Sequence, residues 1–173
     1  MSGVSEAIDQ REFRNCLGRF ATGVTVVTYR GEDGGRYGIT MNSFTSVSLD
    51  PPLILVAIDR RTKAYGKLPG RPFAVNILSS DQEDLAYHFA GKPREGLDIP
   101  WVEGALAPRL GGVLATIVCT PWQTYDGGDH VLYLGEVQEF QYRDGDPLVF
   151  YRGKMTSLSL VESSSASAFP SKR

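Results

Sequence analysis

The sequence is poor in the residues that build disulfide and metal sites. Among 173 residues there are only two cysteines, Cys16 and Cys119, and there is no C-x-x-C pair. This excludes a disulfide framework and a cysteine zinc site, and it is consistent with a reducing compartment. The two histidines, His88 and His130, are too few for a histidine-rich metal site, so we expect no metal.

Strong charge and long apolar runs are also lacking. The formal net charge is -2, which gives no reason to expect binding to nucleic acid or to a membrane surface. The longest apolar run is far short of the roughly 18 residues that a membrane helix needs. The opening residues, MSGVSEAIDQ, contain no apolar stretch typical of a signal peptide. We therefore expect a soluble cytoplasmic protein.

Several common catalytic motifs are absent. The sequence contains no G-x-x-x-x-G-K-[ST] phosphate loop, no G-x-G-x-x-G fingerprint after a strand and no G-x-S-x-G nucleophile elbow. No pair of carboxylates has the context of a glycosidase site. If the protein is an enzyme, a cofactor is expected to carry much of the chemistry.

A polar stretch followed by an apolar strand stands out, at residues 38–58, GITMNSFTSVSLDPPLILVAI. Its first half is rich in hydroxyl and amide groups, from Thr40, Asn42, Ser43, Thr45, Ser46 and Ser48. Its second half, 53–58, is entirely apolar and follows Asp50-Pro51-Pro52. This composition fits a wall that contacts phosphate or polyol oxygens, and it equally fits a Ser/Thr-rich edge strand.

The rest of the chain predicts one β-rich domain. Nineteen glycines and ten prolines indicate many turns. Asp9 is expected to cap a helix over 9–20. Ser80 is expected to cap a second helix, which ends at Gly91, with Glu83 at the capping-box position. Strands are predicted at 24–29, 38–49, 53–58, 73–78, 113–120, 130–140 and 148–151. Their connection through turns favours an antiparallel barrel in a domain spanning 1–161, followed by a disordered tail at 162–173.

Two clusters have the chemistry of a ligand site. Arg60, Arg61 and Lys63 could hold a phosphate, although such a run also fits a solvated turn. In Gly127-Gly128-Asp129-His130 the glycines permit a close backbone approach to a ligand. The histidine could contact that ligand, or it could be a satisfied residue at the start of a strand.

Five segments occur in an order that resembles a known family. They are FRNCLGRFATGVTVVT, GITMNSFTSVSLDPPLILVAI, FAVNILSSDQEDLAYHFA, GGDHVLYLGEV and PLVFYRG, within roughly residues 9 to 156. Together they resemble the short-chain flavin reductases, the reductase partners of two-component flavin-dependent monooxygenases. The second and fourth segments are the most specific.

The resemblance implies a fold and an activity. The fold is an FMN-binding split barrel, an antiparallel Greek-key barrel with flanking helices, usually a homodimer. The activity is hydride transfer from NADH or NADPH to FMN or FAD, after which the reduced flavin leaves for a separate monooxygenase. No general base is required, because the protein contributes orientation and hydrogen bonds to the reduced flavin.

The resemblance also implies site residues. Gly38, Ile39, Thr40, Asn42 and Ser43 would line the isoalloxazine and ribityl chain, and Ala57, Ile58 and Asp59 would continue that wall. Ser46, Ser48, Arg60, Thr62 and Lys63 would lie at the phosphate end, while Asn76 and Phe89 would approach the flavin. His130 would position the nicotinamide, and Tyr151, Arg152 and Gly153 would lie near the nucleotide. One departure, Thr62-Lys63-Ala64-Tyr65 in place of a Ser-x-Thr-Trp-like string, leaves FMN and FAD both open.

Two other functions fit a split barrel. A non-catalytic flavin- or haem-binding protein needs no wall facing a nucleotide, so the GGDH and YRG segments favour the reductase. An oxidase of the pyridoxamine-phosphate type would carry a denser set of basic residues at the phosphate.

Overall fold

The computed structural model describes residues 7–158, which form three helices and twelve strands. The helices are α1 (Gln10–Leu17), α2 (Lys63–Lys67) and α3 (Glu83–Phe89). The strands are β1 (Thr22–Gly23), β2 (Thr25–Arg30), β3 (Arg36–Met41), β4 (Phe44–Leu49), β5 (Pro52–Asp59), β6 (Phe73–Ile77), β7 (Trp101–Val102), β8 (Arg109–Leu110), β9 (Ala115–Gly127), β10 (His130–Tyr142), β11 (Leu148–Tyr151) and β12 (Lys154–Ser157). The predicted tail and the boundary after residue 161 lie outside the described residues.

One seven-stranded antiparallel sheet dominates the fold, in the order β3-β2-β6-β9-β10-β5-β4. Its two edge strands, β3 and β4, follow each other directly in the chain. The sheet therefore curls into a barrel that stays open between β3 and β4, which confirms the predicted split barrel. Within residues 7–158 no helix is long and apolar enough to cross a membrane.

The barrel interior is filled by alternate residues of five strands, as a curled sheet with one apolar face requires. Its buried side chains include Val27 and Tyr29 of β2, Val56 and Ile58 of β5, Phe73 and Val75 of β6, Cys119 of β9, and Val131 and Tyr133 of β10. β10 approaches its neighbours closely at Gly135, where a Cβ atom would lie 2.6 Å from Phe73 Cζ. Only glycine fits this crossing without displacing the ring.

A second apolar cluster covers the outside of the barrel. It contains Val24, just before β2, and Val26 of β2. These pack with Leu78, Ala86 of α3 and Leu148 of β11. The small sheet β1-β11-β12 and the β7-β8 pair lie around this cluster. α3 is thereby held on the outer side of β2 and β3.

The single strand predicted at 38–49 is wrong, because the chain changes partner in the middle of it. β3 pairs with β2, from Thr25 opposite Met41 to Arg30 opposite Arg36, whereas β4 pairs with β5. At the switch, Ser43 O accepts a bond from Ala57 N at 3.2 Å, and Ser43 Oγ donates to Ala57 O at 2.7 Å. These bonds fix the short link between the two edges of the sheet.

The helix predictions are partly right. Asp9 caps α1 as predicted, since its Oδ1 accepts from the backbone N–H groups of Arg11 and Glu12. α1 ends at Leu17 rather than at Phe20, because Gly18 caps it and donates to Arg14 O at 2.9 Å. Ser80 is not the cap of α3, which begins after Gln82 with no side-chain cap bond.

The strand predictions miss length and several short elements. β9 continues to Gly127, past Pro121, and β10 begins at His130, after a loop of two residues. The chain also reverses at Arg152 and Gly153, whose φ angles of 52° and 76° form a tight turn between β11 and β12. The sequence predicts only a strand end there, and β12 is not anticipated.

Candidate functional site

A cleft of about 680 Å³ lies where four parts of the chain meet. They are the end of α1, the link between β3 and β4, the start of β10, and the turn between β11 and β12. Among the predicted site residues, Asn42, His130, Arg152 and Gly153 line this cleft. Residues 88 positions apart in sequence, Asn42 and His130, thus face the same space.

The charge of this first cleft is positive. Three arginines line it, Arg14, Arg19 and Arg152, and within residues 7–158 no lining residue carries a carboxylate. Guanidinium groups suit phosphate oxygens, which they bind through paired N–H donors. The cleft therefore has the chemistry of an anion site, with an apolar floor supplied by Leu17, Phe20 and Phe150.

Backbone contacts hold the first cleft together. Arg152 N donates to Gly18 O at 3.0 Å, which ties the β11–β12 turn to the end of α1. At the opposite wall, His130 Nδ1 lies 2.7 Å from Asp129 Oδ1, a contact that orients the imidazole. The other ring nitrogen of His130, Nε2, can then contact a ligand.

A second cleft, of about 530 Å³, lies beside the same edge strand. Gly38, Ile39 and Thr40 of β3 form one wall, and Thr62, Lys63 and Phe89 line it from α2 and α3. Phe89 packs directly against β3, because a Cβ atom at Gly38 would lie only 2.8 Å from its ring. Gly38 to Thr40 of β3 thus line the second cleft, and Asn42, just after β3, lines the first.

Aromatic rings line the inner end of the second cleft. Tyr29 and Tyr37 stack with their ring centroids 5.8 Å apart, and Lys67 Nζ lies 3.7 Å from the centroid of Tyr37. Burial raises the pKa of Tyr29 to about 12, so this phenol stays neutral at physiological pH. Aromatic faces beside the ammonium groups of Lys63, which lines the cleft, and Lys67, which lies over Tyr37, suit a ring system carrying a phosphate.

Asp59 lies at the end of β5, directly opposite His130 on β10. Arg61 donates to its carboxylate through Nη2 at 2.7 Å, through Nε at 3.1 Å and through the backbone N–H at 2.8 Å. These bonds hold the pKa of Asp59 well below its usual range. Arg61 is thereby committed to Asp59.

Asn76 does not belong to either cleft, and its prediction as a flavin contact is corrected. The residue is fully buried, and its amide nitrogen donates to Val26 O and to Thr28 Oγ1, both at 2.9 Å. Its oxygen accepts from Leu110 N at 2.9 Å. The side chain fastens the β8 segment onto the sheet, which leaves no polar atom for a ligand.

The remaining predicted residues line neither cleft. They are Ser43, Ser46, Ser48, Ala57, Ile58, Asp59, Arg60 and Tyr151. Ile58 is 1% exposed and pairs with Val131 of β10. Arg60 points its guanidinium at protein partners, Asp126 and the carbonyl of Gly128.

Sequence reasoning misses several lining residues. Arg14, Asn15 and Arg19 line the first cleft, and Tyr37 and His88 line the second. The sequence favours a helix-surface role for His88, but α3 presents it to the cleft beside Phe89. The basic residues that flank the apolar stripe of α1 are a feature of the sequence that could have indicated the anion-binding character of the first cleft.

A family model described as a flavin reductase like domain matches residues 17–159. The chain belongs to the flavin reductase like family. An NADH-dependent flavin reductase from Rhodococcus is 43% identical over 151 residues, which cover 86% of each chain. An FMN reductase (NADH) from Agrobacterium fabrum is 41% identical over 147 residues, which cover 84% of each.

Solved structures of the flavin reductase like family agree. A flavin reductase in its native state is 41% identical, with a TM-score of 0.84, covering 88% of this chain and 100% of that one. A homologue of nitrilotriacetate monooxygenase component B, from Mycobacterium thermoresistibile, is 36% identical, with a TM-score of 0.84 and 96% coverage of both chains.

Proposed function

We propose that this protein is an NAD(P)H-dependent flavin reductase that supplies free reduced FMN or FAD to a separate monooxygenase component. The observation that carries the proposal is the first cleft, where Asn42, His130, Arg152 and Gly153 meet beside β3. The GGDH and YRG segments, which are expected to face a nicotinamide nucleotide, therefore adjoin β3, which is expected to face a flavin. Relatives act as NADH-dependent flavin reductases and, in Rhodococcus opacus, as the reductase component of a 4-nitrophenol monooxygenase.

The second cleft and β3 fit the flavin. β3 is an edge strand, so alternate backbone N–H and C=O groups along Gly38 to Asn42 have no ladder partner on one side. Lys63 supplies a cation for a phosphate, and the Phe89 side of the cleft supplies an aromatic wall. When bound, the flavin supplies the acceptor for hydride; the chain's own residues bind it and orient it.

The first cleft fits the nicotinamide nucleotide. Arg14, Arg19 and Arg152 offer donors for the phosphates, and His130, held by Asp129, orients the nicotinamide end. No side chain has to remove a proton for hydride to move between two cofactors. The protein contributes by holding both rings in one orientation and by excluding water.

The protein is also proposed to act as a homodimer that binds neither nucleic acid nor a membrane. None of the residues of α1 is buried, although Phe13 and Leu17 form an apolar stripe that is 51% and 58% exposed. Leu49, at the end of edge strand β4, is 95% exposed. Apolar side chains grouped in this way indicate a protein interface.

Steady-state turnover over the four combinations of NADH or NADPH with FMN or FAD tests the proposal. We expect nucleotide oxidation only when free flavin is added, with many turnovers per protein chain. Tight retention of flavin or haem without nucleotide oxidation would identify the non-catalytic alternative. Absence of turnover in all four combinations would reject the reductase.

A further inference from the structure

Arg60 contacts the tip of the β9–β10 hairpin rather than either cleft. Its Nε donates to Gly128 O at 2.8 Å, and its Nη2 donates to Asp126 Oδ1 at 2.6 Å. Its backbone N–H donates to Asp129 O at 3.0 Å. Three bonds from one residue thus reach three residues of the tip, and this hydrogen bonding raises the pKa of the Arg60 guanidinium further.

The same guanidinium also contacts α2. Its Nη1 lies 3.3 Å from the hydroxyl of Tyr65, and its Cζ lies 5.6 Å from the centroid of the Tyr65 ring. α2 begins at Lys63, which lines the second cleft. Arg60 therefore joins the segment beside the second cleft to the hairpin that forms part of the first.

The hairpin tip has little else to fix it. Residues 121–129 are all exposed, and the loop itself consists only of Gly128, with a φ of 76°, and Asp129. Among the described residues, β9 pairs only with β10 beyond Cys119, so the β9 side of the tip is a free sheet edge, whereas the β10 side pairs with β5. His130 follows this loop directly and lies opposite Asp59, the residue before Arg60. The backbone of His130 is held by this pairing, whereas the orientation of its imidazole depends on Asp129, a residue of the tip.

We propose that Arg60 is a positioning residue that clamps the Asp126–Asp129 tip, and through it His130, and that it is not a ligand of the flavin phosphate. The proposal rests on the proposed function, because it takes His130 to face the nicotinamide. All three kinds of nitrogen in the guanidinium already have protein partners, so a phosphate would have to displace them. Asp126 shares the role, because its Oδ1 also accepts from Gly128 N at 3.3 Å.

Variants Arg60→Ala, Asp126→Ala and the double variant test the clamp in the full-length protein. We expect kcat/KM for NADH to fall by about three- to tenfold, the range for one exposed charged contact with added carbonyl bonds. The Kd for flavin should stay within about twofold of wild type. Because the two side chains act together, the double variant should be no worse than Arg60→Ala. Arg60→Lys, which keeps one donor for Asp126, should fall between wild type and alanine.

The matched control is Arg143→Ala, just beyond the other end of β10. Arg143 also clamps backbone, through Nε to Val113 O at 3.1 Å and Nη2 to Gly112 O at 2.6 Å, but it lies away from both clefts. It should leave kcat/KM for NADH unchanged. Amide hydrogen exchange at Asp129 and His130 should accelerate in Arg60→Ala and not in Arg143→Ala.

The outcomes separate the clamp from its alternatives. A rise of about tenfold in the flavin Kd, with kcat/KM for NADH corrected for flavin saturation unchanged, would make Arg60 a phosphate ligand and overturn the proposal. Unchanged hydrogen exchange at the tip would also overturn it. If the wild-type protein shows no turnover, the proposed function fails, while the exchange measurement still decides whether Arg60 holds the tip.

Discussion

At the scale of single residues, the carboxylate of Asp59 is held by several hydrogen bonds from one neighbour, Arg61. Arg61 engages both carboxylate oxygens and holds the pKa of Asp59 below its usual range. In the unfolded chain that pKa returns to about 3.9. Folding therefore favours the ionised form, whose contribution to stability is complete above the unfolded pKa and is lost as the pH falls through the folded pKa.

We predict that Asp59→Asn lowers the free energy of unfolding at neutral pH and that the difference from wild type narrows below about pH 4. Urea unfolding of the flavin-free protein between pH 7 and pH 3 measures it. Arg61→Gln provides the matched background. In a protein that carries Arg61→Gln, adding Asp59→Asn should lower the free energy of unfolding much less than it does in the wild type. A difference between wild type and Asp59→Asn that stays constant down to pH 3 would contradict this account.

At the scale of elements, the contact of α3 with β3 decides the shape of the second cleft. Gly38 is the only residue on β3 without a side chain, and Phe89 occupies the space that a side chain would take. A Cβ atom at position 38 would also lie 3.1 Å from Val26 Cγ1, which is a tight contact on a second side. An alanine at this position must displace the Phe89 ring.

Gly38→Ala should lower the free energy of unfolding by about 1–3 kcal/mol, the usual cost of overpacking, and should weaken flavin binding. Urea unfolding and flavin titration by fluorescence measure the two effects. Combining Gly38→Ala with Phe89→Leu should cost less than the sum of the single changes, because the smaller side chain makes room.

Gly66→Ala is the control for Gly38→Ala. Gly66 lies in α2, and a Cβ atom added there would meet no other atom within 4 Å, so alanine should stabilise the helix by up to about 1 kcal/mol. If the effects of Gly38→Ala and Phe89→Leu on the free energy of unfolding are strictly additive, contact with the Phe89 ring is not the reason that position 38 requires glycine.

These elements also show what a sequence reveals. The β2–β3 hairpin and the apolar strand β5 are predictable, because a glycine-rich turn and a run of aliphatic residues are local signals. The change of partner at Asn42-Ser43 is not, because neither residue breaks a strand and the decisive bonds go to Ala57. The contacts of Arg60 with Asp126 and Gly128, 66 and 68 residues away, are equally invisible before folding.

The candidate site divides in the same way. Its motif-bearing parts, Gly38 to Thr40, Asn42, His130 and Arg152-Gly153, are found through family resemblance and line the two clefts. Asn76 is misplaced because a polar residue on a strand gives no sign of whether it faces a ligand or a buried N–H. The polar residues of α1 are missed because helix amphipathicity draws attention to the apolar face.

At the scale of the whole molecule, α1 and β4 both expose large apolar side chains. The stripe on α1 contains Phe13 at 51% exposure and Leu17 at 58%, and β4 carries Val47 at 48% and Leu49 at 95%. β4 is an edge strand, so its outer backbone groups also lack a partner in the sheet. A second copy of the chain would cover both features in a closed, symmetric pair, which is the commonest assembly of soluble proteins.

We predict that the protein has twice the 19.0 kDa mass of one chain in solution and that Phe13→Glu and Leu49→Glu each shift it toward monomer. Light scattering after size exclusion measures the mass. Because only the folded pair is stabilised by association, the wild-type melting temperature should rise with protein concentration and that of the variants should rise less. Leu106→Glu, a 39% exposed leucine on the loop before β8, is the control and should remain dimeric. A wild-type protein that is monomeric at micromolar concentration would contradict the prediction.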